Sequence, residues 1–179
     1  MLEIFKPTWM VQSIFSITAE QLKDHGIKAL LVDLDNTLIA WNEPEATEDS
    51  INWIQKMKKA GIPIMILSNN SGGRIKKVAE LLEVEYVPRS MKPTSRAFKI
   101  AEKRLDLSVN EMVMVGDQII TDVLGANLYN LRSILVKPIL RSDAWNTKFN
   151  RFIELKIMRS LIKANPEMNW RDTLDEPIK

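Results

Sequence analysis

Apolar positions along the chain fall into short runs separated by longer stretches with helical spacing. The runs are ALLV (29–32), IPIMIL (62–67), EYV (85–87), MVMV (112–115) and SILV (133–136). Each has strand length and a polar or glycine-containing end. Between them, Ile51, Ile54 and Met57 recur at helical spacing, as do Ile75, Val78, Ala79 and Leu82, and then Ala97, Ile100, Ala101 and Leu105. Thr18, Gln21 and Gly26 give AEQLKDHG a capping box and a glycine stop; Gly61 ends SINWIQKMKK, and Thr94 is expected to cap the helix after Lys92 and Pro93. Five strand-then-helix units predict an α/β fold with a five-stranded parallel sheet flanked by helices. The expected organisation is one domain over 1–179: a core of about 27–140, an N-terminal extension, 1–26, that covers one side of it, and a C-terminal helical extension, 141–179.

Beyond Lys137 the pattern changes. TKFNRFIELKIMRSLIKANP reads as a helix with Phe149, Ile153, Ile157 and Leu161 on one stripe. Lys148, Arg151, Lys156, Arg159 and Lys163 lie roughly opposite, interleaved with Phe152, Leu155, Met158 and Ile162. A basic, apolar surface of this kind suits an anionic lipid surface, so helix 148–163 is a candidate peripheral membrane contact. The favoured alternative is docking on the core or on a second copy, with lysine and arginine stems lying along apolar surface. The tail NWRDTLDEPIK shows no periodicity.

Composition narrows the chemistry. The chain has 179 residues, 45% of them hydrophobic, enough for the core of one ordinary domain. Lys and Arg number 25 against 23 Asp and Glu, and a net charge of +2 gives no reason to expect a nucleic-acid partner. With no cysteine and one histidine, His25, thiolate sites, disulfides and histidine triads are excluded. No run of about 18 apolar residues and no signal peptide is found, so a cytoplasmic location is expected, with peripheral contact at the inner membrane face as the variant that the basic helix allows.

The candidate chemistry sits where the runs end. Asp33, Asp35 and Thr37 follow the first strand, Ser68, Asn69 and Asn70 the second, and Asp117 and Asp122 the fourth; Lys92 stands in the loop before a helix. Ligands of open α/β sheets bind beyond the carboxyl ends of the strands. Together these residues form the inventory that phosphoryl transfer needs. Carboxylates can hold Mg²⁺, Thr37 and Ser68 can donate to phosphate oxygens, Lys92 supplies positive charge, and one carboxylate can attack phosphorus.

DLDNT, Ser68, Lys92 with Pro93, and GDQIITD, in that order and strand context, resemble the four motifs of the haloacid dehalogenase (HAD) superfamily of Rossmann-like hydrolases. The resemblance implies Asp33 as nucleophile and metal ligand, and Asp35 as general acid and base that ligates the metal through its carbonyl. It implies Asp117 as the remaining direct protein ligand of Mg²⁺, Asp122 as a metal-site acid that stands behind the direct ligands or binds through water, Thr37 and Ser68 as phosphoryl-holding groups, and Lys92 as a bridge between phosphate and nucleophile. Asn69 and Asn70 are candidate substrate contacts, with a turn role as the equal alternative. Neither interval, Thr37 to Ser68 or Ser68 to Lys92, has room for the cap domain that many members insert, so an open site is expected.

Among uncapped members, of subfamily IIIA, FKPTWMVQSIFSIT, DLDNTLIAW, SNN, KPTSRAF and GDQIITDVLG are similar to the YqeG-like and phosphatidylglycerophosphate phosphatase group. ANLYN stands where that group has a glycine- and arginine-containing turn. The implied activity is a Mg²⁺-dependent phosphatase acting on phosphatidylglycerophosphate or another large phosphorylated partner. The alternatives are a phosphatase of small soluble phosphates, its site closed by an oligomer partner, and a non-catalytic binding module.

Overall fold

The computed structural model describes residues 2–70, 72–140 and 148–178, with the side chains of 148–151 outside the description. Strand β1 (Trp9–Val11) precedes helix α1 (Ala19–Asp24). β2 (Ala29–Val32), α2 (Glu48–Lys59), β3 (Ile64–Leu67), α3 (Gly73–Leu82) and β4 (Glu85–Val87) follow in alternation. Then come α4 (Arg96–Leu105), β5 (Met112–Gly116), α5 (Leu124–Leu128), β6 (Arg132–Val136) and α6 (Lys148–Ala164). The strands form one parallel sheet in the order β1-β6-β5-β2-β3-β4.

The sheet therefore has six strands where the pattern of runs predicts five. The added one, WMV, lies in the segment read as an extension over the core. Its three residues are all buried, and it pairs with β6 in the register Trp9 to Ile134. Three residues are too few to show a period, but they satisfy the otherwise open hydrogen-bonding edge of β6. The unassigned tail then covers the edge of β1: Arg171 N donates to Met10 O, Gln12 N to Arg171 O, and Ile178 N to Thr8 O.

Both sheet faces are buried, and alternation along each strand divides the side chains between them. Leu30, Val32, Ile64, Ile66, Val113 and Val115 face one core with Trp53, Ile54 and Val78. Ala29, Leu31, Met65, Leu67, Met112 and Met114 face the other with Phe98 and Ala101. The capping box of α1 forms as expected, Thr18 Oγ1 accepting from Gln21 N and Gln21 Oε1 from Thr18 N. Thr94 does not cap α4: the helix starts later, with Ser95 at its N-cap position and no side-chain cap bond.

Helix α6 docks on the sheet end. Leu161 is fully buried, Ile157 and Met158 pack beside it, and buried Glu154 accepts a hydrogen bond from Ile120 N at 2.9 Å. Phe152, Leu155 and Ile162 remain exposed among exposed Lys156, Arg159 and Lys163. Phe149, Lys148 and Arg151 lie outside the described side chains, as do residues 141–147. No helix of the described residues is long and apolar enough to cross a membrane.

Candidate active site

The sheet order places β3 and β5 on either side of β2, so the loops after these three parallel strands meet at one end of the sheet. The turn after β2 reverses sharply. Asn36 takes φ 62°, a left-handed conformation that asparagine tolerates better than most residues, its N–H donates to Ile39 O at 2.7 Å, and Ile139 N donates to Asn36 O at 2.9 Å. Asp33 N still donates to Val115 O at 2.9 Å, holding the first acid against β5. The turn sends Asp33 inward and Asp35 to the rim.

The inner cluster is compact. Asp33, Asp117 and Asp122 are buried, with one carboxylate oxygen of each within 4.8 Å of the others. Lys92, also buried, places Nζ 2.6 Å from Asp33 Oδ1 and 2.7 Å from Asp122 Oδ1. Thr37 Oγ1 donates to Asp117 Oδ1 at 3.3 Å. Asp122 Oδ2 accepts from Gln118 N at 3.1 Å. Gly116 is needed here because a Cβ at that position would lie 2.1 Å from Asp122 Oδ2.

Electrostatics follow from burial and the charge count. Burial drives the Asp33 carboxyl well above the usual range; Lys92 draws it down, while Asp122 and Asp117 push it up. Burial alone would lower Lys92, but the facing Asp122 and Asp33 carboxylates outweigh it and keep the ammonium charged. Three buried carboxylates against one ammonium leave an excess of negative charge in a dry place, which is costly without further neutralisation. An all-oxygen donor set with that excess fits a hard divalent cation such as Mg²⁺.

Lys92 is held by the loop after β3. Asn69 Oδ1 accepts from Lys92 N at 2.8 Å and from Ser90 Oγ at 2.7 Å, and Asn69 Nδ2 donates to Lys92 O at 3.0 Å. The Asn69 amide, a candidate for substrate or for the turn, thus ties the loop after β3 to the lysine loop. Ser68 is buried, and its Oγ accepts from Asn70 N at 3.1 Å.

The rim holds residues that the motifs did not single out. Arg74, in the first turn of α3, donates Nη1 to Asp35 Oδ1, Nη2 to Ala40 O at 2.8 Å and Nε to Glu43 O at 2.7 Å. Asn70 Nδ2 donates to Asp35 Oδ2 at 2.7 Å. Both oxygens of Asp35 are therefore held from the β3–α3 segment. The signal in the sequence was weak: an arginine after two glycines at the start of a helix, reading as a solvated residue.

The family assignment agrees with this architecture. Residues 2–128 match the haloacid dehalogenase-like hydrolase model, and the chain belongs to that family of hydrolases. It is 39% identical over 170 residues to a Bacillus subtilis protein named "Probable phosphatase YqeG", covering 95% of this chain and 98% of that one. It is 29% identical over 147 residues to the Arabidopsis thaliana chloroplastic/mitochondrial phosphatidylglycerophosphate phosphatase 1, covering 76% of this chain and 42% of that longer protein. In fold it is similar to the cobalt-bound deoxy-D-mannose-octulosonate 8-phosphate phosphatase of Haemophilus influenzae, with a TM-score of 0.53, 13% identity and coverage of 83% and 96%.

Proposed function

We propose that this hydrolase is a Mg²⁺-dependent phosphomonoesterase working through an aspartyl phosphate on Asp33, with phosphatidylglycerophosphate at a membrane surface as substrate. The observation that carries the chemistry is Lys92 Nζ between Asp33 and Asp122 in a buried three-carboxylate cluster. Asp33, Asp117 and Asp122 would hold the cation, which would neutralise phosphate oxygens and the developing charge.

Asp33 attacks phosphorus, and the P–O bond to the alcohol breaks as Asp35 gives the departing oxygen its proton. Asp35 then takes a proton from water, whose oxygen attacks the acyl phosphate, releasing inorganic phosphate and restoring Asp33. Lys92 keeps the attacking carboxylate and phosphate from repelling one another, while Thr37 and Ser68 orient phosphoryl oxygens. The lipid substrate is supported by the Arabidopsis relative's named activity and by the exposed Phe152, Leu155 and Ile162 among the basic residues of α6.

The test offers purified protein and Mg²⁺ phosphatidylglycerophosphate in mixed micelles, an aryl phosphate, and a panel of sugar phosphates and nucleotides. The lipid should be turned over fastest, and Asp33→Asn should lose at least about 10³-fold. Faster turnover of a sugar phosphate would overturn the lipid substrate. No phosphate release from anything, or an equally active variant, would overturn the chemistry.

A further inference from the structure

Arg74 does more than hold Asp35. A cavity of about 310 Å³ opens beside the acid, lined by Leu34, Asp35, Asn70, Gly72, Arg74 and Ile75. In the proposed reaction the proton from Asp35 goes to the departing alcohol, so what lies next to Asp35 on the rim is leaving-group space. Arg74 is the cation in that lining, with a side chain 27% exposed. Its three hydrogen bonds, to Asp35, Ala40 O and Glu43 O, use one N–H on each nitrogen and fix the plane of the guanidinium. A guanidinium carries five N–H groups, so one on each Nη is left for a ligand. The start of α3 adds partial positive charge on the same side, having no side-chain cap and no acidic residue in its first turn.

We propose that Arg74 makes this cavity a leaving-group subsite selecting phosphomonoesters whose alcohol carries a second anionic group, a phosphate mono- or diester a few carbons from the scissile bond. The proposal rests on the phosphatase reading for the identity of the leaving-group side. The second anion receives charge-assisted hydrogen bonds from the Nη groups, a fork geometry that lysine cannot reproduce. Arg74 lies against Asp35 in the cavity lining and offsets the charge of that acid whenever it is ionised. Substrates with neutral alcohols leave the free Nη groups to water and gain nothing from them.

The experiment measures binding apart from turnover. Trimethylene bisphosphonate and propylphosphonate, which cannot be hydrolysed, are titrated calorimetrically into wild type, Arg74→Gln and Arg74→Lys in Mg²⁺. The corresponding bisphosphate and monophosphate esters are compared by kcat/KM. Wild type should favour the doubly anionic member by about tenfold or more, beyond the factor of two from its two equivalent ends. Arg74→Gln should bring that ratio close to two, and Arg74→Lys should keep part of it. Equal affinities in wild type, or a ratio unchanged in Arg74→Gln, overturn the subsite. If Arg74→Gln fails to fold, the wild-type and Arg74→Lys ratios decide by the same criteria. A preserved binding ratio with no turnover of any ester would sink the phosphatase chemistry and leave the subsite standing.

Discussion

Asp33 and Asp35 are two residues apart in one turn and have opposite surroundings. Asp33 is buried, shares Lys92 with Asp122 and is pushed up by loss of solvent and by two like charges. Asp35 is partly exposed, and its oxygens are held by Arg74 and Asn70 from another loop. The difference comes from the sharp turn, with left-handed Asn36 directly after Asp35, and from burial of the first acid against β5. A carboxylate fixed in a dry cluster suits bonding to phosphorus, and one at a wet rim suits exchanging protons with a leaving alcohol and then with water.

The contrast is broken most severely by removing the shared cation. Lys92→Met should lower kcat by about 10²–10³-fold and destabilise the metal-free protein by roughly 3–5 kcal/mol, since three carboxylates remain buried without their partner. Steady-state kinetics and denaturant titration check both numbers; stability within about 1 kcal/mol of wild type would mean that the cluster is far wetter than its burial indicates. Next comes Gly116→Ala, whose methyl group must displace the Asp122 carboxylate. Mg²⁺ affinity read by calorimetry should weaken about 10–100-fold, while Asp35 and its partners stay in place.

A smaller effect sharpens the comparison through pH. Because the folded protein holds the Asp33 pKa above its ordinary 3.8, the native state binds more protons than the unfolded chain between that value and the raised one. Stability of the metal-free protein should therefore fall as pH rises through this window. Asp33→Asn should remove that slope and raise the melting temperature at neutral pH by about 3 °C, and saturating Mg²⁺ should flatten it in wild type. A slope of opposite sign in thermal scans would refute the assigned environment. The lysine does not complicate the window, since its raised pKa keeps its contribution intact until strongly alkaline pH.

Much of the inner site was legible because its residues follow apolar runs whose ends must meet in a parallel sheet. Asp33, Thr37, Ser68, Lys92, Asp117 and Asp122 are all found at that end, and burial of Asp122 gives a reason for Gly116 that the motif alone did not state. The arginine partner of Asp35 at the rim was not legible. Nothing local distinguishes Arg74 from the neighbouring lysines of α3, and its role depends on three acceptors from the turn carrying Asp35. The bonds of Asn69 were not legible for a related reason: an amide in a polar loop can face a ligand or the backbone, and its bonds to Lys92 and Ser90 depend on a loop more than 20 residues away. β1 escaped because three residues carry no period, and its partner β6 lies more than 120 residues away, between 132 and 136.

In the proposed reaction Asp33, and not its neighbour at the rim, forms the bond to phosphorus. Wild-type protein mixed with Mg²⁺ and excess phosphomonoester would be acid-quenched within the first turnover, reduced with borohydride, digested and read by mass spectrometry. Reduction of an acyl phosphate should convert Asp33 to homoserine in an amount that follows the burst of released alcohol. Alcohol release with Asp33 unmodified, or with the label on Asp35, Asp117 or Asp122, would contradict the account.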